Sequence, residues 1–126
     1  MNTSTKHYLN SNFGYIALLF CIAIYLSACS GPQRRTIELI GDDMRFVPDM
    51  IRVNEGDTVI IKFSNPDVVP HLIDLPAFKQ HSALIPGGEF TLEFVVDKTG
   101  TFPFVCSVPG HEEAGMIGVL IVEPPS

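Results

Sequence analysis

Tryptophan is absent from the 126-residue sequence, and its three tyrosines, Tyr8, Tyr15 and Tyr25, all precede residue 26. Beyond that point every aromatic is phenylalanine, so a Tyr or Trp relay for electrons is excluded there. Basic residues are scarce. There are 8 Lys and Arg against 14 Asp and Glu, for a net charge of −6. Nucleic-acid binding needs a basic footprint, so that class is excluded. Cysteines number 3, and an odd count excludes a simple framework of paired disulfides. The apolar run Ile16–Leu26 has 11 residues, too few for a membrane-spanning helix of about 20. No stretch keeps a convincing helical period over three turns.

What is present divides the chain. Residues 1–12 are polar, and the short apolar run that follows fits the core of a secretory signal peptide. Small residues come next. The tetrapeptide Leu26-Ser27-Ala28-Cys29 resembles the lipobox of bacterial lipoproteins. That resemblance implies cleavage before Cys29 and acylation of its thiol and new amine. The expected division is a lipoprotein signal peptide at 1–28, a lipid-anchored linker at 29–35 and one domain at 36–126. Several acyl chains, at about 0.8 kcal/mol per buried methylene, make a stable anchor. The protein is thus expected to be exported and held at a membrane of the cell envelope, on its periplasmic or extracellular face. Removing the leader takes away one lysine and moves the net charge from −6 to −7. Arg34 and Arg35 in the linker are read as solvated, or as touching anionic head groups.

Beyond the linker the pattern is of short strands between turns. Thr36–Ile40 is rich in β-formers. Asn54-Glu55-Gly56-Asp57 reads as a turn, and Asn65-Pro66-Asp67 as a strand breaker. In Thr58–Ser64, Val59, Ile61 and Phe63 share one face. In Glu89–Asp97, Phe90, Leu92, Phe94 and Val96 do so. Phe102, Phe104 and Cys106 follow the same period of two. Met116–Val122 is almost wholly apolar, as a strand buried on both faces would be. Ala77–Leu84 is expected to hold one short helical turn. Short strands at regular spacing indicate an all-β sandwich or barrel.

The chemistry concentrates in Cys106-Ser107-Val108-Pro109-Gly110-His111-Glu112-Glu113-Ala114-Gly115-Met116, a C-x4-H-x4-M pattern. His71 lies upstream, just past the strand that ends at Ser64. Two imidazoles, a thiolate and a thioether form the ligand set of a blue-copper centre, trigonal His₂Cys with a weak axial Met. Thiolate suits Cu(I) and imidazole serves both oxidation states. Zinc is the chemical competitor, but its structural sites favour Cys₂His₂ or Cys₄.

Together these features resemble the cupredoxins of the plastocyanin and azurin family. The motifs are Ile51-x-Val53-x-x-Gly56-Asp57-x-Val59, Pro70-His71, Gly100-x-Phe102-x-Phe104-x-Cys106, and the azurin-like run Cys106–His111. The resemblance implies a Greek-key β-sandwich with one copper at one end. It assigns the metal ligands to His71, Cys106, His111 and Met116. It also implies backbone N–H donors to the cysteine sulfur, here Leu72 and Val108. The family often has Asn after the first histidine, tying the ligand loops together. Leu72 stands there instead, which leaves that tie absent or moved to Asn65 or Ser107. Val69, Pro70, Pro109, Gly110 and Ala114 are candidates for an apolar rim around His111, with Phe78 and Pro86-Gly87-Gly88 at its margin. His81 reads as exposed and inert. Pro103 cannot donate to a ladder and is expected at an edge or bulge.

The function implied is non-enzymatic one-electron transfer by a single type 1 copper. The expected partners are redox proteins such as cytochromes or oxidase and reductase complexes. A second class stays open: a copper-binding module for delivery, storage or assembly of another complex. A protein that begins at Cys29 should show almost no near-ultraviolet absorbance beyond that of phenylalanine. An ultraviolet spectrum normalised by amino-acid analysis checks this.

Overall fold

The computed structural model describes residues 31–82 and 86–125. The expected leader, Cys29 and Ser30 lie outside the described residues, as do Ala83 and Leu84 of the expected helical turn. Among the described residues there are nine strands and one 3₁₀ turn. The strands are β1 (Arg34–Asp42), β2 (Arg45–Val47), β3 (Met50–Asn54), β4 (Thr58–Ser64), β5 (Asp74–Leu75), β6 (Gln80–His81), β7 (Glu89–Val95), β8 (Gly100–Val105) and β9 (Ile117–Glu123). The turn, Pro76–Phe78, stands where a helical turn was expected to begin.

Two sheets face each other in an all-β sandwich of the Greek-key kind. One has the order β2-β1-β4-β7, the other β3-β9-β8-β5-β6. Each contains a single parallel pair, β1 with β4 and β3 with β9. The rest of the ladder is antiparallel. The period-two faces read from the sequence point inward. Val59, Ile61 and Phe63 of β4 are buried, as are Phe104 and Cys106 along β8. Leu39, Phe46, Ile51, Val53, Phe94, Leu120 and Val122 complete the inter-sheet layer. Each fully buried side chain of this size contributes about 1.5–3 kcal/mol of transfer free energy. Phe46 packs on Phe63 and Phe104, with ring centroids 6.2 Å and 5.1 Å away.

Several expectations need correction. Met116–Val122 is not buried on both faces. Gly118, Leu120 and Val122 of β9 point inward, while Ile117 is exposed and Val119 and Ile121 are half-buried. Among the described residues no layer covers the outer side of this sheet, so apolar composition there does not mean full burial. Arg34 and Arg35 are not linker residues but the first residues of β1. Arg34 pairs with Glu93 at 2.9 Å and Arg35 with Asp57 at 3.3 Å. Phe78 does not line the metal end. It packs against Phe94 and Phe102 beneath the Lys98 ammonium, and Phe102 is four residues, about 13 Å, up β8 from Cys106. Pro103 does face an unpaired side. It is opposite Val119 of β9, and β5 meets β8 only at Val105.

The sandwich has two distinct poles. At one, the Asn54–Asp57 turn gathers the chain. Its backbone bonds reach Glu123, Val96 and, through Thr58, Gln33. Asp57 is buried there. Oδ1 accepts from the Gln33 amide at 2.8 Å, and Oδ2 accepts from the Asn54 amide at 3.1 Å and Arg35 Nε at 3.3 Å. The opposite pole collects the ends of β1, β4 and β8 and the start of β9.

Burial alone would raise the Asp57 pKa. The two amides and the Arg35 guanidinium outweigh it and hold the carboxyl below its ordinary range. A depressed folded pKa contributes stability that is complete above the unfolded value, about 3.9. It is lost as pH falls through the folded value. Asp57→Asn should cost about 1–3 kcal/mol at neutral pH and flatten the acid side of the stability profile. Urea denaturation of both proteins across a pH series checks this.

Candidate metal centre

The second pole is built by one closed loop and one open one. Cys106 follows β8 directly and Met116 precedes β9, so they are cross-strand neighbours. The Cys106 N–H donates to the Met116 carbonyl at 3.1 Å. Between them the chain coils tightly. The His111 N–H bonds the Val108 carbonyl at 3.0 Å, and the Met116 N–H bonds the His111 carbonyl at 2.9 Å. Gly110 and Gly115 precede His111 and Met116 with φ of 87° and 100°. Residues with side chains rarely adopt that region, so the two glycines set the turns that deliver the two ligand candidates.

His71 arrives on the loop between β4 and β5. Asn65 organises that loop. Its Oδ1 accepts from the Asp67 amide at 2.8 Å, its Nδ2 donates to the Val69 carbonyl at 2.9 Å, and its own N–H reaches the Gly88 carbonyl at 2.8 Å. The Pro86-Gly87-Gly88 turn thus flanks this loop, with the Gly87 N–H on the Asp67 carbonyl at 2.9 Å. Leu72 turns into the core and Ser107 faces solvent.

His71, Cys106 and His111 converge. His71 Nδ1 is 3.2 Å from His111 Nδ1, which is 3.4 Å from Cys106 Sγ. All three donor atoms lie within 4.8 Å of one another. The residues are buried, Cys106 completely and His111 to all but 6 %. Two nitrogens about 2.0–2.1 Å from one ion, at a near-tetrahedral angle, stand about 3.4 Å apart. The spacing therefore fits a shared ion, and the soft thiolate with two imidazoles fits copper. Met116 is fully buried beside Cys106. A Cβ placed on Gly41 of β1 would come within 3.0 Å of its Cε, so the lack of a side chain at residue 41 leaves the room that the thioether occupies.

The electrostatics suit metal uptake. Burial, then the neighbouring His71, push the His111 pKa below the ordinary imidazole range, which keeps a lone pair available. His71 uses its other nitrogen, Nε2, on Asp67 Oδ2 at 3.1 Å. The same oxygen accepts the Asp43 amide at 3.0 Å. These bonds, the one to His71 first, hold the Asp67 carboxyl below its usual range. Among the described residues no buried side-chain nitrogen or oxygen lacks a partner. His111 Nε2 has none, so it is the atom that this ring presents to solvent.

Other expectations meet mixed outcomes. The Leu72 and Val108 amides make no hydrogen bond to Cys106 Sγ among the described residues; the Val108 carbonyl instead serves His111. Of the residues expected to rim His111, Val69, Pro109, Gly110 and Ala114 are exposed. Val68, which the sequence reading passed over, is 91 % exposed next to Val69 in the chain. Asp67 was also missed as more than a strand breaker. Its only sequence signal is its place four residues before His71. His81 is exposed, 3.8 Å from Asp74.

Residues 14–122 match the family described as cupredoxin-like domain, and the chain belongs to that family. It is 31% identical over 112 residues to a copper-resistant cuproprotein, CopI, of Rubrivivax gelatinosus, covering 71% of this chain and 67% of that protein. It is 37% identical over 91 residues to a copper-containing nitrite reductase of Neisseria gonorrhoeae, covering 60% of this chain but only 22% of that enzyme. The structure resembles dithionite-reduced auracyanin from Roseiflexus castenholzii. There the TM-score is 0.63 and the identity 25%, and the match covers 71% of this chain and 97% of the other. Copper is the cofactor that the family and the His–Cys–His cluster define.

In the metal-free protein, His111 should titrate with a midpoint below the ordinary value of about 6.5. An imidazole NMR titration checks this; a midpoint at or above that value would mean a solvated ring.

Proposed function

We propose that this chain is a type 1 copper electron carrier. His71, Cys106 and His111 would hold the metal, with Met116 as the fourth, axial ligand. The observation that carries this reading is the buried, mutually adjacent set of two imidazole nitrogens and one thiol sulfur. Copper in such a set supplies one-electron chemistry between Cu(I) and Cu(II). The protein's own contribution is enclosure. Cys106 is cut off from solvent, so the thiolate is not an open nucleophile. The Cys106–Met116 backbone bond keeps the loop from splaying, which favours similar ligand positions in both oxidation states.

His111 is the ligand candidate closest to solvent, and its Nε2 edge within the exposed Val68, Val69, Pro109 and Ala114 surface is the natural exit for an electron. Redox proteins such as cytochromes or membrane oxidase and reductase complexes are the partners of this reading. It includes acylation at Cys29 and residence at a membrane of the cell envelope. The copper enzymes among the relatives are several times longer than the stretch matched here. A domain whose copper has a full ligand set leaves no position for a substrate.

The likeness to a copper-resistant cuproprotein favours a second reading, copper handling rather than electron carriage. Two measurements separate them. Cu(II) added to the protein should give an intense visible thiolate-to-copper band that Cys106→Ser abolishes; a colourless adduct would sink the proposal. The coloured protein should then exchange electrons reversibly with a cytochrome and keep its copper. Transfer of the metal to a competing apo-protein, without such exchange, would select the second reading. His111→Gly should open the centre to added imidazole and slow electron exchange at least 10-fold, about 1.4 kcal/mol in barrier.

A further inference from the structure

We propose that Asp67 is a positioning residue for the metal centre, whose carboxylate accepts the His71 Nε2–H, fixes that ring and lowers the reduction potential. The inference rests on His71 being a ligand, as proposed above.

The two imidazoles are not equivalent. Both turn Nδ1 toward the cluster, so in the metal-binding form each carries its proton on Nε2. For His111 that N–H faces solvent. For His71, which is buried to all but 1 %, it meets Asp67 Oδ2 at 3.1 Å. A carboxylate behind a ligating histidine fixes the tautomer and the ring orientation and makes the ring a stronger donor. A stronger donor, with a full negative charge behind it, favours the more positive, oxidised centre. The potential therefore falls relative to a neutral acceptor.

Asp67 is itself held from several directions. Its N–H donates to Asn65 Oδ1 at 2.8 Å and its carbonyl accepts from Gly87 at 2.9 Å. Oδ2 also takes the Asp43 amide at 3.0 Å. Asp43 and Met44 form the turn between β1 and β2, with φ of 48° and 59°. One oxygen thus joins a ligand candidate to the hairpin turn between β1 and β2. A carboxylate fixed this way cannot swing into solvent without releasing both partners.

The test begins with the visible band of the wild-type copper protein, which examines the ligand reading on its own. Asp67→Asn keeps an oxygen for both N–H groups and removes the charge. Its potential, by cyclic voltammetry, should rise, and by more than that of Glu112→Gln, an exposed carboxylate next to His111. Asp67→Ala should weaken Cu(II) affinity by about 10–100-fold. In the diamagnetic Cu(I) protein, the His71 Nε2–H should be visible by NMR and exchange with solvent more slowly than that of His111. This last measurement needs no variant and stands even if the substitutions fail to fold. An Asp67→Asn potential that is unchanged, lower, or shifted no more than in Glu112→Gln would overturn the proposal. So would equal exchange rates for the two Nε2–H groups.

Discussion

The single backbone hydrogen bond from the Cys106 amide to the Met116 carbonyl organises the metal end of this molecule. It continues the β8–β9 pairing one step past the strands, and it closes the intervening segment into a compact coil. Within that coil, His111 is bonded through its amide to Val108 and through its carbonyl to Met116. The position of one imidazole thus follows from a strand register set elsewhere, by Phe104 and Leu120 in the core.

His71 depends on a different support. Its loop is shaped largely by side chains, Asn65 from within and Asp67 across to the β1–β2 turn. The two halves of the centre are therefore built by different physics. One half is backbone pairing continued past a strand. The other is a small network of buried and half-buried polar groups, in which each missing partner leaves another unsatisfied. Substitutions in the first half disturb packing, and those in the second disturb charge and orientation.

Much of this was legible in the sequence because period-two patterns survive in strands with one buried face. Val59, Ile61 and Phe63 announced both their strand and its orientation. The C-x4-H-x4-M spacing is equally transparent, since its three residues belong to one local coil. What was illegible involves contacts across the chain. Nothing at Asp67 marks its bond to a histidine, because loops do not advertise their geometry by period. Gly41 reads as an ordinary strand glycine until Phe63 and Met116 are seen filling the space where its side chain would go. Ile117, Val119 and Ile121 misled in the other direction. Composition records hydrophobicity, but not whether a second layer is present to cover it.

The clamp at Asp57 has a consequence for how the molecule is presented. The chain enters the domain beside Gln33 and Arg35, at the pole where Asp57 binds both. β1 then runs nine residues, about 30 Å, to the metal end. If the segment before Gly31 is anchored as proposed, the surface that holds it would meet the Asp57 pole, and the His111 edge would point away from it like a lamp on a short post. A partner diffusing above that surface would then find the metal face directly. A partner embedded in the same surface would meet it only if the whole domain tipped over. Which reactions are fast would then depend on how freely the domain tips.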